Sequence, residues 1–310
     1  MDRSDTVDRR GGPAFAVDFD SELHERSSGL PKVLNSPLHG LSDGPDSAST
    51  VQAWWSAIAN YSSRQLTVPE DKLNAVASLA EALSARLDCR YFAGLWGFGL
   101  EISLCWGFEV QWSPPKTPQL RPPYRAPSWS WASIDGRADP APFQLLIAHK
   151  PEQFETQILE VDTQPLTLLA PFSTVTSGYL VICGPLRRQE DYDIDPHSWR
   201  ITLRDAEFGI TLNSTLDAQE PDLLKMKNDG PVPCLWLLRM KTTPRPAGLP
   251  FADNLAMYLL LAQAPDRTSF CRKGLVSYMA SGDSSLTSSK GRENVAKWED
   301  SFVTQTVTII

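Results

Sequence analysis

The sequence predicts an α+β fold: a short tryptophan-rich helical subdomain followed by a mainly antiparallel β sandwich or barrel-like domain. Three observations carry this. Apolar residues recur at three- and four-residue spacings as far as Leu87, a proline-rich segment then interrupts the chain, and beyond it the apolar residues fall into short runs separated by turn residues. With 310 residues, 42% of them hydrophobic and 21% charged, the chain is long enough to bury one or two cores. Its ten tryptophans are uneven, with Trp54, Trp55, Trp96, Trp106, Trp112, Trp129 and Trp131 all in the first half. That clustering asks for an explanation.

Residues 1–47 mix charge with Gly, Ser and Pro and have little apolar periodicity, which predicts a disordered tail or linker. A helical subdomain over 48–112 follows. In Thr50–Ser62, Val51, Trp54, Trp55 and Ile58 share one wide apolar face. Thr67-Val-Pro-Glu70 has the form of a capping box with Pro in the first turn. It predicts an amphipathic helix whose apolar residues are Leu73, Val76, Ala80, Leu83 and Leu87. A short helix is expected around Leu100–Trp106. The next sixteen residues, 112–127, contain six prolines, so 113–127 should be an extended surface connector.

The β domain is assigned to 128–310. Its expected strands are Ser128–Ile134, Ile158–Val161, Leu166–Leu169, Gly178–Gly184, Trp199–Leu203, Cys234–Met240, Ala256–Ala262, Lys273–Met279 and Phe302–Ile310. In the last of these, Val303, Val307 and Ile309 should share a buried face opposite a threonine face. Residues 281–294 read as a long polar loop.

Composition and charge exclude several functions. A net charge of −8 argues against nucleic acid, whose phosphates require a basic surface. Tyr91–Trp112, the most membrane-like stretch, carries Glu101 and Glu109 and reads as buried in the protein. Five scattered cysteines without a C-x-x-C pair suit free thiols in a reducing compartment, and the charged N-terminus has no signal-peptide core. The expected location is cytoplasmic.

Few residues have site character. On a strand over Ser128–Ile134, Trp129 and Trp131 would share one face, and with Tyr124, Arg125 and Asp135 nearby they could form a stacking platform for a small ligand or a partner. The competing reading makes the two indoles core residues at the junction of the halves, Arg125 a structural ion-pair partner and Asp135-Gly136 a turn. Gly97-Phe-Gly99 lacks the third glycine and the strand of a dinucleotide loop. Gly282-Asp-Ser-Ser-Leu286 lacks the setting of a hydrolase nucleophile. Asp193, Asp195 and His197 read as an exposed acidic loop rather than a metal site. No catalytic residue, cofactor or metal is assigned.

A family resemblance rests on Tyr91-Phe-Ala-Gly-Leu-Trp96, Leu104-Cys-Trp106 and Tyr124-Arg-Ala-Pro-Ser-Trp-Ser-Trp-Ala-Ser-Ile-Asp-Gly136. It is extended by Trp54 to Thr67, Asp71-Lys-Leu73, Thr176-Ser-Gly-Tyr-Leu180, Gly184-Pro-Leu186, Arg272-Lys-Gly-Leu275 and Thr306-Val-Thr-Ile-Ile310. From about residue 50 onward the chain resembles fungal heterokaryon-incompatibility (HET) domain proteins, in the region that follows the HET domain. The S-Y-x-W-G, D-x-x-C-I-x-Q and R-x-W-x-x-Q-E patterns of the HET domain itself do not occur. The resemblance implies a truncated protein, an incomplete gene model or a stand-alone descendant. It implies a non-enzymatic accessory or regulatory scaffold in non-self recognition and regulated cell death, partnered by a HET-family protein. The alternative is a β-sandwich binding module that recognises a small ligand through exposed aromatics.

Overall fold

The computed structural model describes residues 45–64, 66–108, 118–139, 154–224, 234–244, 254–279 and 289–310. All of them lie in one unit, Ser42–Ile310. The tail expected over 1–47 falls almost wholly outside the described residues. The class is α+β, with helices at the N-terminal side and mostly antiparallel strands after them.

Helix α1 (Pro45–Ser62) buries the predicted face, with Val51, Trp54, Trp55 and Ile58 at 2% exposure or less. The capping box does not form. Val68, not Thr67, occupies the cap position of a separate 3₁₀ turn, Pro69–Lys72, and α2 (Asn74–Leu87) starts only after Leu73. The turn closes one residue later than a Thr67 cap requires, with Asp71 N donating to Val68 O (3.1 Å), and its carbonyls serve tertiary partners: Pro69 O accepts from Arg125 Nη1 (3.1 Å) and Lys72 O from Tyr61 Oη (2.9 Å). Val76, Ala80, Leu83 and Leu87 of α2 are buried as the spacing predicts, and Asp88 ends the helix in the left-handed region. Helix α3 (Leu100–Ser103) matches the short helix expected there.

The hairpin between α2 and α3 consists of β1 (Tyr91–Phe92) and β2 (Leu95–Trp96). Its turn residues Ala93 and Gly94 both have positive φ (46° and 100°), as a primed two-residue hairpin turn requires. Strands β3 (Gly107–Phe108) and β4 (Ala138–Asp139) pair with each other. Of the connector expected over 113–127, residues 118–127 are described: Leu120 makes an isolated parallel bridge to Gln219, the chain bends over 123–126, and Pro118, Arg125, Ala126 and Pro127 are buried, so it is not wholly an extended surface segment.

The main sheet holds β5 (Gln157–Pro165), β6 (Val175–Gln189), β10 (Leu235–Pro244), β11 (Asn254–Gln263), β12 (Phe270–Met279) and β13 (Val303–Ile309). The long β6 pairs with β5 and β13 and, through Leu186–Gln189, also with β10, so β6, β10, β11, β12 and β13 close into a ring. Helix α4 (Ser289–Asp300) links β12 to β13 and permits their parallel pairing at Phe270 and Ile309. A second sheet is formed by β7 (Asp191–Ile194), β8 (Arg200–Asp205) and β9 (Ile210–Thr215).

Strand β11 lies between two cores. Met257, Leu259 and Leu261 join the tryptophans of the helical side, while Ala256, Tyr258 and Leu260 pack with Ile201, Leu203, Leu212 and Trp298. Ala256 to Leu261 are all at or below 1% exposure, so the strand reads as one unbroken apolar run. One core therefore runs from Val51 to Ile309 across both halves of the chain.

Several expectations need correction. Ser128–Ile134 is not a strand: Ser130 N donates to Pro127 O (2.9 Å), Ser130 Oγ accepts from Ala132 N (3.0 Å), and Trp131–Ser133 form a 3₁₀ turn. Ser130 thus bonds its own local backbone and coils the chain. Leu166–Leu169 is a turn at the end of the β5–β6 hairpin. Of the polar loop expected over 281–294, residues 281–288 lie outside the described residues, and from Ser289 the chain is α4, a helix anchored by Trp298, 1% exposed. Strands β7 and β9 were not anticipated. In β13 only Val307 and Ile309 are buried, and Val303 is 60% exposed. Among the described residues no helix is long and apolar enough to cross a membrane.

The double burial of β11 predicts a large cavity cost. Leu259→Ala should lower unfolding free energy by about 2–5 kcal/mol in urea titrations, and a loss below about 1 kcal/mol would contradict the described packing.

Candidate functional site

The residues singled out in the sequence meet only in part. Trp129 and Trp131 are both 0% exposed, Arg125 is 5% exposed, Asp135 is partly exposed, and Tyr124 is 58% exposed. The two indoles are therefore not a solvent-facing platform. Because the block is coiled, Ser130 and Ala132 are buried together with them.

Trp131 Nε1 donates to Gly94 O (2.9 Å), and Trp54 Nε1 from α1 donates to the same carbonyl (3.1 Å). Ser130 Oγ donates to Ala93 O. The β1–β2 turn thus offers both its carbonyls to the block, and its conformation depends on Gly94: a Cβ there would lie 2.5 Å from Trp131 Nε1. Tyr61 meets the Trp131 ring edge-on at 6.1 Å. The Trp129 Nε1 is buried without a hydrogen-bond partner.

Arg125 and Lys72 bind the carbonyls that flank and follow Trp131 in the block. The Arg125 guanidinium donates to Ala132 O, Ile134 O and Pro69 O and pairs with Asp135 at 2.6 Å. Lys72, 3% exposed, donates to Ile134 O, lies 5.7 Å from the Trp131 ring centre, and stands 4.0 Å from Asp135. Burial, reinforced by the Arg125 charge and opposed by Asp135, pulls the Lys72 pKa down to about 7. Nothing local to Lys72 announces this, since it follows Asp71 and looks like a solvated charge. Tyr61, on α1, is pushed up by its own burial.

The second connection leads into the β domain. Arg272 on β12 is fully buried and pairs with Asp217 (2.8 Å), itself 1% exposed. Its remaining donors reach Leu104 O (2.6 Å) and Trp106 O, and its guanidinium carbon lies 3.5 Å from the centre of the Trp106 ring. Trp106 Nε1 in turn donates to Trp129 O (2.9 Å). Ser128 Oγ accepts from Arg272 N (2.9 Å), and the Ser128 backbone N–H donates to Ile310 O (3.0 Å). Arg121 adds bonds to Glu220 (3.3 Å), Ser133 Oγ (3.1 Å) and Arg272 O (3.2 Å). Sequence reasoning missed the Arg272–Asp217 pair, whose partners are 55 residues apart.

Chemically, this arrangement holds backbone and charge in place. Its serine hydroxyls, indoles and guanidinium groups are mostly committed to carbonyls and carboxylates of the same chain. In the acidic segment, Asp193 pairs with Arg204, while Asp195 accepts from His197 N and Ser198 Oγ. Among the described residues no group of three or more His, Cys, Asp or Glu side chains is placed to hold a metal ion. No protein-family model, curated protein or solved structure matches the chain.

Three outcomes test this geometry. Asp217→Asn leaves a buried guanidinium without its counter-charge and should cost about 3–5 kcal/mol in chemical denaturation; a cost below about 1 kcal/mol would show that the pair is dispensable. Trp131→Phe and Trp129→Phe remove the same volume, but only the first removes a made hydrogen bond. Trp131→Phe should be the more destabilising by about 1 kcal/mol, and an equal loss would count against the Gly94 bond. Lys72 binds fewer protons folded than unfolded between about pH 7 and the ordinary lysine range, so its contribution to stability rises with pH through that window. Lys72→Met should flatten the stability-against-pH curve between about pH 7 and 10, and an unchanged slope would contradict the depressed pKa.

Proposed function

We propose that this chain is a cytoplasmic, non-enzymatic accessory or regulatory scaffold of a HET-type non-self recognition system, acting beside a HET-family protein whose HET domain triggers regulated cell death. The single observation that carries this reading is the convergence of the segments on which the resemblance rests. Trp54, Ala93-Gly94, Leu104 to Trp106, Ser128 to Ile134, Arg272 and Ile310 are far apart in sequence and joined by direct hydrogen bonds. A motif consumed in this way specifies a shape.

Two further points support a scaffold. Catalysis requires an acid and a base free to exchange protons with a bound molecule, whereas Arg125 and Asp135 bind each other and Ser128 and Ser130 donate to backbone carbonyls. Ligand stacking requires accessible rings, and Trp129 and Trp131 are fully buried. The acidic balance of the chain supports a protein partner over nucleic acid.

Expression of the 310-residue chain alone in a fungal cell, with the purified protein incubated with NAD in parallel, tests the proposal. Cells should survive and NAD should persist. Killing, or loss of NAD, would overturn the accessory role.

A further inference from the structure

The turn that joins β5 to β6 presents its apolar side chains to water. Leu166, Leu168 and Leu169 are 66%, 87% and 96% exposed. Isolated exposed leucines are ordinary, but three on one short turn form a contiguous apolar crown.

The crown is rigidly held. Leu166 N donates to Thr174 O (2.8 Å), Ala170 N to Thr167 O (3.1 Å) and Ser173 N to Ala170 O (3.1 Å). Thr174 donates through its backbone and its hydroxyl to Asn74 Oδ1 at the start of α2 (3.1 and 2.9 Å). Phe172 packs against Tyr91 and Trp96 at 5.5 and 6.4 Å. The fold thus spends one aromatic and several hydrogen bonds on a turn whose leucines stay largely exposed. Such pre-organisation lowers the ordering cost of association.

The charges around the turn indicate what it would meet. Residues 151–186 contain neither Lys nor Arg. The hairpin carries Glu160 and Asp162, the latter paired with Arg90, and the 3₁₀ turn before Asn74 adds exposed Glu70 and Asp71. Asn74 Nδ2 donates to Asp71 Oδ1 (3.0 Å), which holds that carboxylate close to the root of the turn. An anionic membrane would be repelled. A second copy of the chain would bring the same acidic border against it across a two-fold axis.

We propose that the Leu166–Leu169 crown is a docking knob for a protein partner whose receiving surface is the apolar face of a helix bordered by lysine or arginine. The inference stands apart from the family reading, since it uses only exposure, local bonding and charge.

The test uses the full chain with leucine methyls labelled for NMR and two synthetic amphipathic helices with the same leucine face, one bordered by lysines and the other by glutamates. The lysine-bordered helix should shift the methyl signals of Leu166, Leu168 and Leu169, and the paired substitution Leu168→Asp with Leu169→Asp should weaken it about tenfold or more. Because these side chains are exposed, the variant should keep its thermal midpoint; if it does not, Leu169→Ser serves in its place. Equal binding of the glutamate-bordered helix, shifts confined to other leucines, or absence of binding would overturn the proposal. So would crown shifts caused by phosphatidylserine vesicles, a dimer in sedimentation that the substitutions dissolve, or crown shifts on removal of residues 1–40.

Discussion

A guanidinium with no access to water has to find every partner inside the protein, and Arg272 imposes that requirement on the whole fold. Its counter-ion Asp217 follows β9, its carbonyl acceptors belong to Leu104 and Trp106, and the ring beneath it is Trp106. Breaking such a pair is far costlier than never having made it. The helical side cannot withdraw from β12 without taking two carbonyl acceptors and the Trp106 ring away from this guanidinium, which ties the tryptophan-rich layer to the β sheet. Replacing Arg272 and Asp217 together by apolar residues would still leave the Leu104 and Trp106 carbonyls without donors.

The tryptophans extend this constraint outward. Trp106 passes it to Trp129 O, and Trp131 and Trp54 converge on Gly94 O, so indole N–H groups secure a turn that neither strand of the tiny β1–β2 hairpin could hold alone. Their rings fill the space between α1, α2 and the sheet. For Trp54, Trp106 and Trp131 the clustering thus has a physical basis: a large side chain with one donor suits a junction where backbone carbonyls of irregular segments need partners, while Trp96 and Trp129 contribute buried volume. Lys72 and Arg125 do the same for Ile134, Ala132 and Pro69, which is how a lysine comes to be buried beside an arginine.

Regular periodicity was the legible part. Val51 to Ile58 and Val76 to Leu87 declare their helices, and Ala256 to Ala262 and Gly178 to Gly184 their strands, because one or two buried faces write a repeating pattern. The S-W-S-W block reads as a strand because strict alternation looks like one, yet Ser130 accepts from the nearby Ala132 N and Ser128 is held by Ile310 and Arg272. Thr67 resembles a cap, but the turn closes on Val68 O, one residue later, and is held from outside by Arg125 and Tyr61. Asp217 and Arg272 leave no local trace, since nothing in either neighbourhood announces a partner 55 residues away. Of the expected site residues, Arg125, Trp129, Trp131 and Asp135 do gather, but as packing and pairing groups, while Tyr124 stays exposed.

The central claim is that the coiled S-W-S-W block locks the helical layer and the β sheet into one cooperative unit. Native-state amide hydrogen exchange across a denaturant series tests it most directly. The slowest amides of α1, α2 and β11 should merge on one global unfolding isotherm. A separate, lower-energy isotherm for α1 and α2, with β11 still protected, would show that the two layers open independently and would contradict the account.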